Sequence, residues 1–414
     1  MKIQDVVCSV GNSGYYNWDL AGLKAGAESD GFIYTGTPVT PGFEKLIQPG
    51  QCISIMLVLD SGEIAFGDCI DVILTGAAGR DPLFRADEHL PLITGPIREI
   101  LIGRECAEFK EFATEIDAIK ISGQRLHTAV RYGLTQALLN AAALAGQVTM
   151  AEIVSRDYGC QLSRKPIPLL SMCRTDDPQQ VDKMILKRAD QLPHADFIRV
   201  KEDLGPGAEK MATYLQWVTD RIAQLGDSDY RPTLHLDVYG TLGECFNMDL
   251  GRIADFLARL ENIANGLELC IEAPIIAPTQ DAQVEAFLGL KAEIAKRGSR
   301  VRLILDEWVN TLEDVKKFAD AKAADMIQVK APDLGGLNNS IESLLYCKRA
   351  GVGAYFGGSA NETDQSTRVT AQVGLGCSAD LLIGKPGQGV DEAIMIQRNE
   401  MKRTLTLIDY RARR

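Results

Sequence analysis

This sequence of 414 residues lacks long apolar runs, clusters of basic residues and low-complexity tracts. Because a membrane helix needs about 18 consecutive apolar residues, we predict no membrane span. The N-terminal segment has neither the cationic flank nor the long apolar core of a signal peptide, so we expect none. The 56 acidic and 44 basic residues give a net charge of −12, which would repel nucleic acid and anionic lipid surfaces. We therefore expect no nucleic acid and no membrane as partner.

Closely spaced cysteine pairs are also missing, although the chain has ten cysteines. None belongs to a C-x-x-C motif, so their spacing predicts neither a zinc site nor a disulfide framework. Several lie in apolar runs, such as Cys270 in LELCIEAP, where a free cysteine behaves as a small apolar residue. This usage is typical of a reduced, cytoplasmic protein.

The order of the elements that the sequence predicts changes near residue 165. Residues 52–60 and 63–70 alternate in polarity on either side of a turn, which predicts an antiparallel hairpin. Apolar residues then recur at helical spacing over residues 92–102, 105–119 and 126–144. Strands followed by helices indicate an α+β domain over residues 1–164.

From residue 165 onward, short apolar strands alternate with amphipathic helices. The predicted strands are residues 167–172, 196–201, 234–240, 267–274, 301–308, 326–330, 352–359 and 381–386. Eight strand–helix units in about 250 residues are the count and size of a (β/α)8 barrel. An open doubly wound sheet is the alternative, but no G-x-G-x-x-G turn follows the first strand. We therefore predict an α/β fold with a C-terminal (β/α)8 TIM-type barrel over residues 165–414, capped by the N-terminal domain.

Three successive predicted barrel strands lead to an acidic residue, namely Asp237, Glu272 and Asp306. In such a barrel the active site lies where the strands meet the loops that follow them. Each acid alone could cap the next helix. Three carboxylates at one mouth repel one another, so a cation is expected to share the site. Oxygen ligands favour Mg²⁺, with Mn²⁺ as a possible substitute.

The next predicted strand ends on Lys330. A lysine that is partly desolvated beside a metal site can have a lowered pKa and act as a general base. The alternative is a lysine that reaches solvent or pairs with Asp333. Gln328 lies two residues earlier on the same face and can donate to a substrate carboxylate. These parts suit removal of a proton α to a carboxylate, since a divalent ion would stabilise the resulting enediolate.

Only four histidines are present, and two of them could reach this mouth. His194 is predicted in a loop just before the second barrel strand, and His235 lies in the third strand with the same orientation as Asp237. Either could instead be a structural residue with its hydrogen bonds satisfied, and the sequence leaves both interpretations open.

A capping domain followed by a barrel with Asp, Glu and Asp on successive strands resembles the enolase superfamily. Within it, the sequence resembles the methylaspartate ammonia-lyase family nearly end to end. The segments that carry this resemblance are DGFIYTG (30–36), GRDPLF (79–84), RLHTAVRYG (125–133), LPHA (192–195), DVYGT (237–241), DEW (306–308), VKAPDLGGLNN (329–339), NET (361–363) and KPGQGVDE (385–392).

The resemblance implies a reaction, the reversible elimination of ammonia from L-threo-3-methylaspartate to give mesaconate. It implies that the three carboxylates bind Mg²⁺ and that Lys330 removes the C3 proton. His194 would act on the opposite face, serving the other diastereomer, and Gln328 would hold the metal-bound carboxylate. A homodimer and stimulation by K⁺ are implied as well.

The sequence departs from the family where polar residues orient the second carboxylate and the amino group. Met172 and Ile73 stand at positions where the family has glutamines, and Ser359-Ala360 replaces a threonine–cysteine pair. Loss of hydrogen-bonding partners removes discrimination for the group that they bind, so a close analogue is an alternative substrate. Arg174 could hold that carboxylate through a bidentate contact instead, or could simply be exposed.

Two further residues are candidates for the site. Gln388 is a spare polar side chain, and Lys201 lies where other members of the superfamily keep a catalytic lysine, although a surface lysine is an equal interpretation. Two other functions remain open: a lyase or epimerase of the same superfamily acting on another amino acid or carboxylate, and a barrel that has lost catalysis and serves in binding or assembly.

Overall fold

The computed structural model describes residues 1–77, 79–384 and 389–413. Gln388 therefore lies outside the described residues. The N-terminal strands are β1 Ile3–Trp18, β2 Glu28–Asp30, β3 Ile33–Thr35, β4 Ile47–Leu59, β5 Ile64–Cys69, β6 Lys120–Ile121 and β7 Gln124–Arg125. The N-terminal helices are α1 Leu20–Lys24, α2 Ala86–Leu92, α3 Arg98–Leu101, α4 Phe109–Asp117, α5 Thr128–Gly146 and α6 Met150–Tyr158.

A three-stranded antiparallel sheet in the order β1–β4–β5 is the framework of this N-terminal part. The hairpin predicted from the sequence is its β4–β5 pair, in which Met56 lies opposite Phe66. Ile53, Ile55 and Leu57 on alternating positions of β4 are completely buried, because one face of the sheet packs on α5. The arrangement is the predicted mixture of sheet and helices.

The helix predicted over residues 92–102 is interrupted. Helix α2 ends at Leu92, a π-helical turn covers Ile93–Ile97, and α3 follows. Gly95 lies inside that turn with non-helical dihedral angles, and Pro96 follows it. Proline has no backbone N–H to donate, so a regular α-helix cannot continue through this point.

The C-terminal part is the predicted barrel. Its strands are β8 Leu169–Leu170, β9 Gln191–Asp196, β10 Thr233–Asp237, β11 Leu269–Glu272, β12 Arg302–Leu305, β13 Met326–Val329, β14 Gly353–Phe356 and β15 Leu381–Ile383. Its helices are α7 Pro178–Leu186, α8 Glu209–Leu225, α9 Thr241–Cys245, α10 Leu250–Ile263, α11 Gln280–Lys296, α12 Leu312–Ala321, α13 Ala331–Leu334, α14 Leu337–Ala350, α15 Asp364–Cys377 and α16 Gly389–Ala412. The eight strands pair in parallel and close in the order β8 to β15.

The second barrel strand differs from the prediction. The strand is β9, Gln191–Asp196, and not residues 196–201, so His194 lies inside a strand rather than in a loop before it. After Asp196 the chain turns, because the N–H groups of Ile198 and Arg199 both donate to the Asp203 carboxylate. The apolar character of this segment reflects burial of Phe197, whose ring packs against Tyr214 of α8 just after the strand ends.

The lower barrel is filled by a compact layer that supports the mouth above it. Its members are Leu170, Cys270, Ile304, Met326, Tyr355, Leu381 and Ile383. A loop and strand β1 of the N-terminal part meet the loop that follows β14. The N–H of Ile73 donates to the Ser359 carbonyl over 3.0 Å, and that of Gly14 in β1 donates to the Asn361 carbonyl over 2.9 Å. The mouth of the barrel is therefore covered by the N-terminal part.

Among the described residues, no single helix has both the length and the apolar character needed to cross a membrane, although α5 and α6 meet this criterion when the bent pair is taken together.

Candidate active site

Three carboxylates converge at the mouth, as the sequence predicts. Asp237 and Glu272 are the last residues of β10 and β11, and Asp306 directly follows β12. All three are buried, and they offer oxygens that lie within 4.8 Å of one another. The cause is geometric: parallel strands that are neighbours in a barrel present their carboxyl ends side by side.

The negative charge of this cluster is poorly compensated. Burial raises the pKa of Asp237 well above its ordinary value, and the charges of Glu272 and Asp306 raise it further. Burial also raises the pKa of Asp306 to about 7, although Lys330 acts in the opposite direction. A divalent cation would offset this excess charge. The donor set, three carboxylates without sulfur, therefore fits Mg²⁺ or Mn²⁺.

Two side chains hold Glu272 from inside the barrel. Its Oε2 lies 2.6 Å from His235 Nε2, and its Oε1 accepts a 2.6 Å hydrogen bond from the Tyr355 hydroxyl. Burial alone would raise the pKa of Glu272, but the nearby His194 and the bond to His235 lower it. His235 thus faces inward and orients a carboxylate. The sequence reasoning did not single out Tyr355, for which the alternation of β14 was the only available signal.

Lys330 reaches the same cluster from the next strand. It is buried at the start of α13, and its Nζ lies 2.7 Å from both carboxylate oxygens of Asp306. Burial alone would lower the pKa of Lys330, but the Asp306 carboxylate outweighs it and the pKa is raised. The prediction that the pKa of Lys330 is lowered is therefore wrong for the structure as it stands, in which Lys330 is paired with Asp306.

His194 approaches the carboxylates from the other side. Its Nε2 lies 3.3 Å from Glu272 Oε2 and 3.8 Å from Asp237 Oδ2. Its ring stacks on His235 with centroids 5.3 Å apart. The side chain is buried; Nε2 faces the carboxylates, whereas Nδ1 has no hydrogen-bond partner among the described residues. A buried imidazole with one nitrogen toward the carboxylates and the other unsatisfied is unusual in a purely structural histidine.

Gln328 lies between the carboxylates of β11 and β12. The amide orientation that satisfies its neighbours places its nitrogen 3.2 Å from Glu272 Oε1 and 3.1 Å from Asp306 Oδ2. A glycine makes room for it, because a Cβ on Gly358 would lie 2.0 Å from the Gln328 side-chain amide. The polar floor of the mouth therefore includes Gln328.

The remaining wall of the mouth is largely apolar. Ile73, Met172, Ser359 and Ala360 line the same small cavity of about 30 Å³ as the carboxylates and Lys330, together with Ile383. Ile73 is contributed by the N-terminal part, and the others by loops or strand ends of the barrel. The structure thus brings together all four positions at which the sequence departs from the family.

Two candidates lie elsewhere. Arg174 is held by both carboxylate oxygens of Asp176, at 3.1 and 2.9 Å, and lies over the Trp18 ring. It therefore faces a neighbouring cavity of about 320 Å³ and not the mouth. Lys201 is exposed on a short π-helical turn, Val200–Leu204, since β9 ends before it. These positions argue against both residues as contacts to a substrate at the carboxylates.

Arg80 belongs to the mouth, although the sequence reasoning did not propose it. This arginine of the N-terminal part is buried and lines the cavity beside Lys330. For an arginine in a loop, the sequence offers no periodic pattern from which burial or exposure of the side chain could be predicted. The sequence contained no signal for it beyond its place in the segment GRDPLF.

Sequence models of both halves of methylaspartate ammonia-lyase match the chain, the N-terminal one over residues 1–159 and the C-terminal one over residues 161–410. The methylaspartate ammonia-lyase of Clostridium tetanomorphum is 46% identical over 412 residues, which are 99% of this chain and 100% of the relative.

Solved structures give the same relationship. The Mg complex of β-methylaspartase from Clostridium tetanomorphum matches with a TM-score of 0.93 and 46% identity over 99% of this chain and 100% of that chain. The Citrobacter amalonaticus methylaspartate ammonia lyase containing (2S,3S)-3-methylaspartic acid matches with a TM-score of 0.95 and 44% identity over 99% and 100% of the two chains. Muconate lactonizing enzyme from Pseudomonas fluorescens, 16% identical with a TM-score of 0.62 over 92% and 87%, shares the fold.

Proposed function

The chain belongs to the methylaspartate ammonia-lyase family, and we propose that it eliminates ammonia from L-threo-3-methylaspartate, or from a close analogue, at the mouth of its barrel. The observation that supports this most directly is the convergence of three buried carboxylates with Lys330 and Gln328 in one cavity. That combination suits removal of a weakly acidic proton next to a carboxylate.

In the proposed reaction, Lys330 acts as the base. Its Nζ accepts the proton from C3, the electrons of that C–H bond form the C2–C3 double bond, and the C2–N bond breaks. The amino group, protonated as an ammonium, leaves with the electron pair of the C2–N bond as ammonia, and mesaconate is the product. For this step the amine has to be neutral and free of Asp306, to which it is bonded in the structure.

Asp237, Glu272 and Asp306 would hold the divalent ion, Mg²⁺ or in its place Mn²⁺. When bound, such an ion neutralises the carboxylates and stabilises negative charge that develops on the substrate carboxylate. Gln328 would donate its amide N–H to that same substrate carboxylate. The relative whose solved structure is a Mg complex supports the choice of metal.

His194 is positioned to act on the face opposite to Lys330. The two residues lie on β9 and at the end of β13, which are four strands apart in an eight-stranded closed barrel and thus on opposite sides of the mouth. The imidazole of His194, whose Nε2 faces the carboxylates, could accept or donate a proton there. This placement suits turnover of the other diastereomer.

The substrate's second carboxylate and amino group would face Ile73, Met172, Ser359 and Ala360. Of these side chains only the Ser359 hydroxyl can hydrogen-bond, and its oxygen already accepts a 3.1 Å bond from the Asn361 N–H. We therefore propose a looser selection for the polar head of the substrate than a fully hydrogen-bonding wall would impose.

Other properties are proposed from the family resemblance. They are assembly as a homodimer, stimulation by K⁺ and a role in glutamate degradation. A cytoplasmic location is consistent with the ten cysteines, all of which are free in the structure.

The test follows formation of the conjugated double bond by absorbance, with ammonia measured in parallel, when protein, Mg²⁺ and 3-methylaspartate are mixed. We expect Lys330→Met to lower kcat by at least ~100-fold, since general base catalysis contributes about that much or more. The matched control Lys402→Met changes an exposed lysine of α16 and should leave kcat unchanged.

Other results would favour other functions. Deuterium incorporation at C3 from heavy water without release of ammonia would contradict the lyase and favour an epimerase. Failure to bind Mg²⁺ in a calorimetric titration would favour a barrel that has lost catalysis.

A further inference from the structure

Arg80 is a buried cation that the proposed reaction does not use. Its side chain is 2% exposed, and it extends from the N-terminal part between two strand ends of the barrel. Arg80 Nε donates to Asp333 Oδ2 over 2.8 Å, and one terminal nitrogen donates to Glu307 Oε2 over 3.1 Å. Both carboxylates are buried as well, so solvent screens neither contact.

Each of the two carboxylates is tied by the chain to one member of the Lys330–Asp306 pair. Glu307 directly follows Asp306 in sequence. Asp333 lies on α13, the one-turn helix that begins after Lys330, and its N–H donates to the Lys330 carbonyl over 3.1 Å. The guanidinium thus joins the backbone segment that carries a metal-binding carboxylate to the segment that carries the base.

The charges of the neighbouring side chains show why Arg80 matters for the direction of Lys330. Among the described residues the ion pairs of Glu307 and Asp333 are both made with Arg80, so removal of Arg80 would leave both carboxylates without one. A buried unpaired carboxylate is costly, and Lys330 is a cation of the same cavity on which the charges of Glu307 and Asp333 already act. The flexible lysine side chain would turn toward these carboxylates and away from the reacting carbon.

We propose that Arg80 is a positioning residue for the elimination: by holding Glu307 and Asp333 it keeps Lys330 directed into the mouth, and it makes alignment of the base depend on docking of the N-terminal part. The effect on kcat rests on the proposed function. The effect on the direction of the Lys330 side chain does not rest on it and can be measured without substrate.

The kinetic test compares Arg80→Ala with Arg104→Ala. Arg104 is a matched control, because it also binds a carboxylate through two nitrogens, at 2.8 and 2.6 Å, but on the exposed surface of the same N-terminal part. We expect Arg80→Ala to lower kcat about 100-fold with little change in KM, as misplacement of a catalytic group by about 1 Å does. Arg104→Ala should match the unaltered protein.

Rescue separates positioning from a general loss of structure. Guanidinium ion added to Arg80→Ala should restore part of kcat, whereas methylammonium of equal charge should not, since only the planar ion offers two donors in fork geometry. Arg80→Lys should be intermediate. If both cations restored kcat equally, or neither did, the proposed geometry would be wrong.

A neutral variant covers the case in which Arg80→Ala does not fold. Arg80→Met combined with Glu307→Gln and Asp333→Asn removes all three charges together. Proteins often tolerate replacement of a whole buried ion network by neutral side chains. Because no unpaired carboxylate is left to attract Lys330, this variant should be faster than Arg80→Ala, or retain measurable turnover if that variant is unfolded. Equal or complete loss of turnover in the folded neutral variant would overturn the inference.

A crystal structure of Arg80→Lys or of the neutral variant tests the direction of the Lys330 side chain without any substrate. In Arg80→Lys, we expect Lys330 Nζ to lie farther from Asp306 than the present 2.7 Å. An unchanged contact in Arg80→Lys, or a displaced Lys330 in the folded neutral variant, would refute positioning by Arg80, even if the unaltered protein released no ammonia. Failure of the proposed function would instead show in the unaltered protein, whatever the variants do.

Discussion

The most discriminating perturbation of the metal site is Tyr355→Phe, which removes one hydroxyl and preserves the ring. Tyr355 is completely buried in the layer below the mouth, so phenylalanine retains the packing. What is lost is the 2.6 Å hydrogen bond to Glu272 Oε1. His235 still holds the other oxygen at 2.6 Å, and the Gln328 amide remains 3.2 Å from Oε1, so Glu272 loses its shortest contact at Oε1 but not its position.

The magnitude follows from the charge of the acceptor. A hydrogen bond to an ionised group contributes about 1.5–3 kcal/mol, and every 1.4 kcal/mol is about a factor of ten in a binding constant. The full value does not reach the Mg²⁺ affinity, because the bound ion would itself hold Glu272 in place when the hydrogen bond is absent. We therefore expect Mg²⁺ to bind about 10–100-fold more weakly, the usual cost of losing an outer partner of a metal ligand.

Calorimetric titration of the chelator-treated protein with Mg²⁺ measures this affinity directly. The matched control is Tyr346→Phe, which removes a hydroxyl that donates to Asp320 over 2.7 Å on the exposed surface. It should leave the affinity unchanged. Equal Kd values for Tyr355→Phe and the unaltered protein would refute the argument that this bond orients Glu272 for the metal.

Three further outcomes are expected. Met172→Gln adds an amide to the apolar wall and should raise kcat/KM for 3-methylaspartate about tenfold, without changing Mg²⁺ affinity. Gly358→Ala should raise KM while Mg²⁺ still binds, because its φ is +100° and a Cβ would lie 2.0 Å from the Gln328 amide. Burial, with His127 adding to it, lowers the pKa of His89 to about 4 from an ordinary value of 6.5. The unfolded chain therefore binds a proton that the folded protein does not, stability falls as the pH drops from 6.5 toward 4, and His89→Gln should reduce the fall in Tm between pH 7 and pH 5.

The barrel and its carboxylates could be predicted because the information is local. Alternation of strand and helix is a short-range pattern, and closure of a parallel barrel then brings all strand ends to one edge. Asp237, Glu272 and Asp306 were found at strand ends, so their meeting followed from topology without any knowledge of distances.

The error at β9 shows where local information fails. The segments around Pro193 and Phe197 both contain apolar residues, and the second alternates more regularly. Tertiary pairing decided between them: Pro193 lies opposite His235 in the sheet, whereas the Phe197 ring packs against Tyr214 of α8 after the strand has ended. A strand is selected by its neighbours as much as by its own residues.

The sequence by itself determined the barrel, the identity of the acids at its mouth and the lysine that follows them. Only the tertiary structure decided the electrostatics of that lysine, the support of Glu272 by Tyr355 and the contact of Arg80 with Asp333. The reason is physical: charge interactions and desolvation depend on distance and burial, and residues that are far apart in the chain acquire both only when the chain has folded.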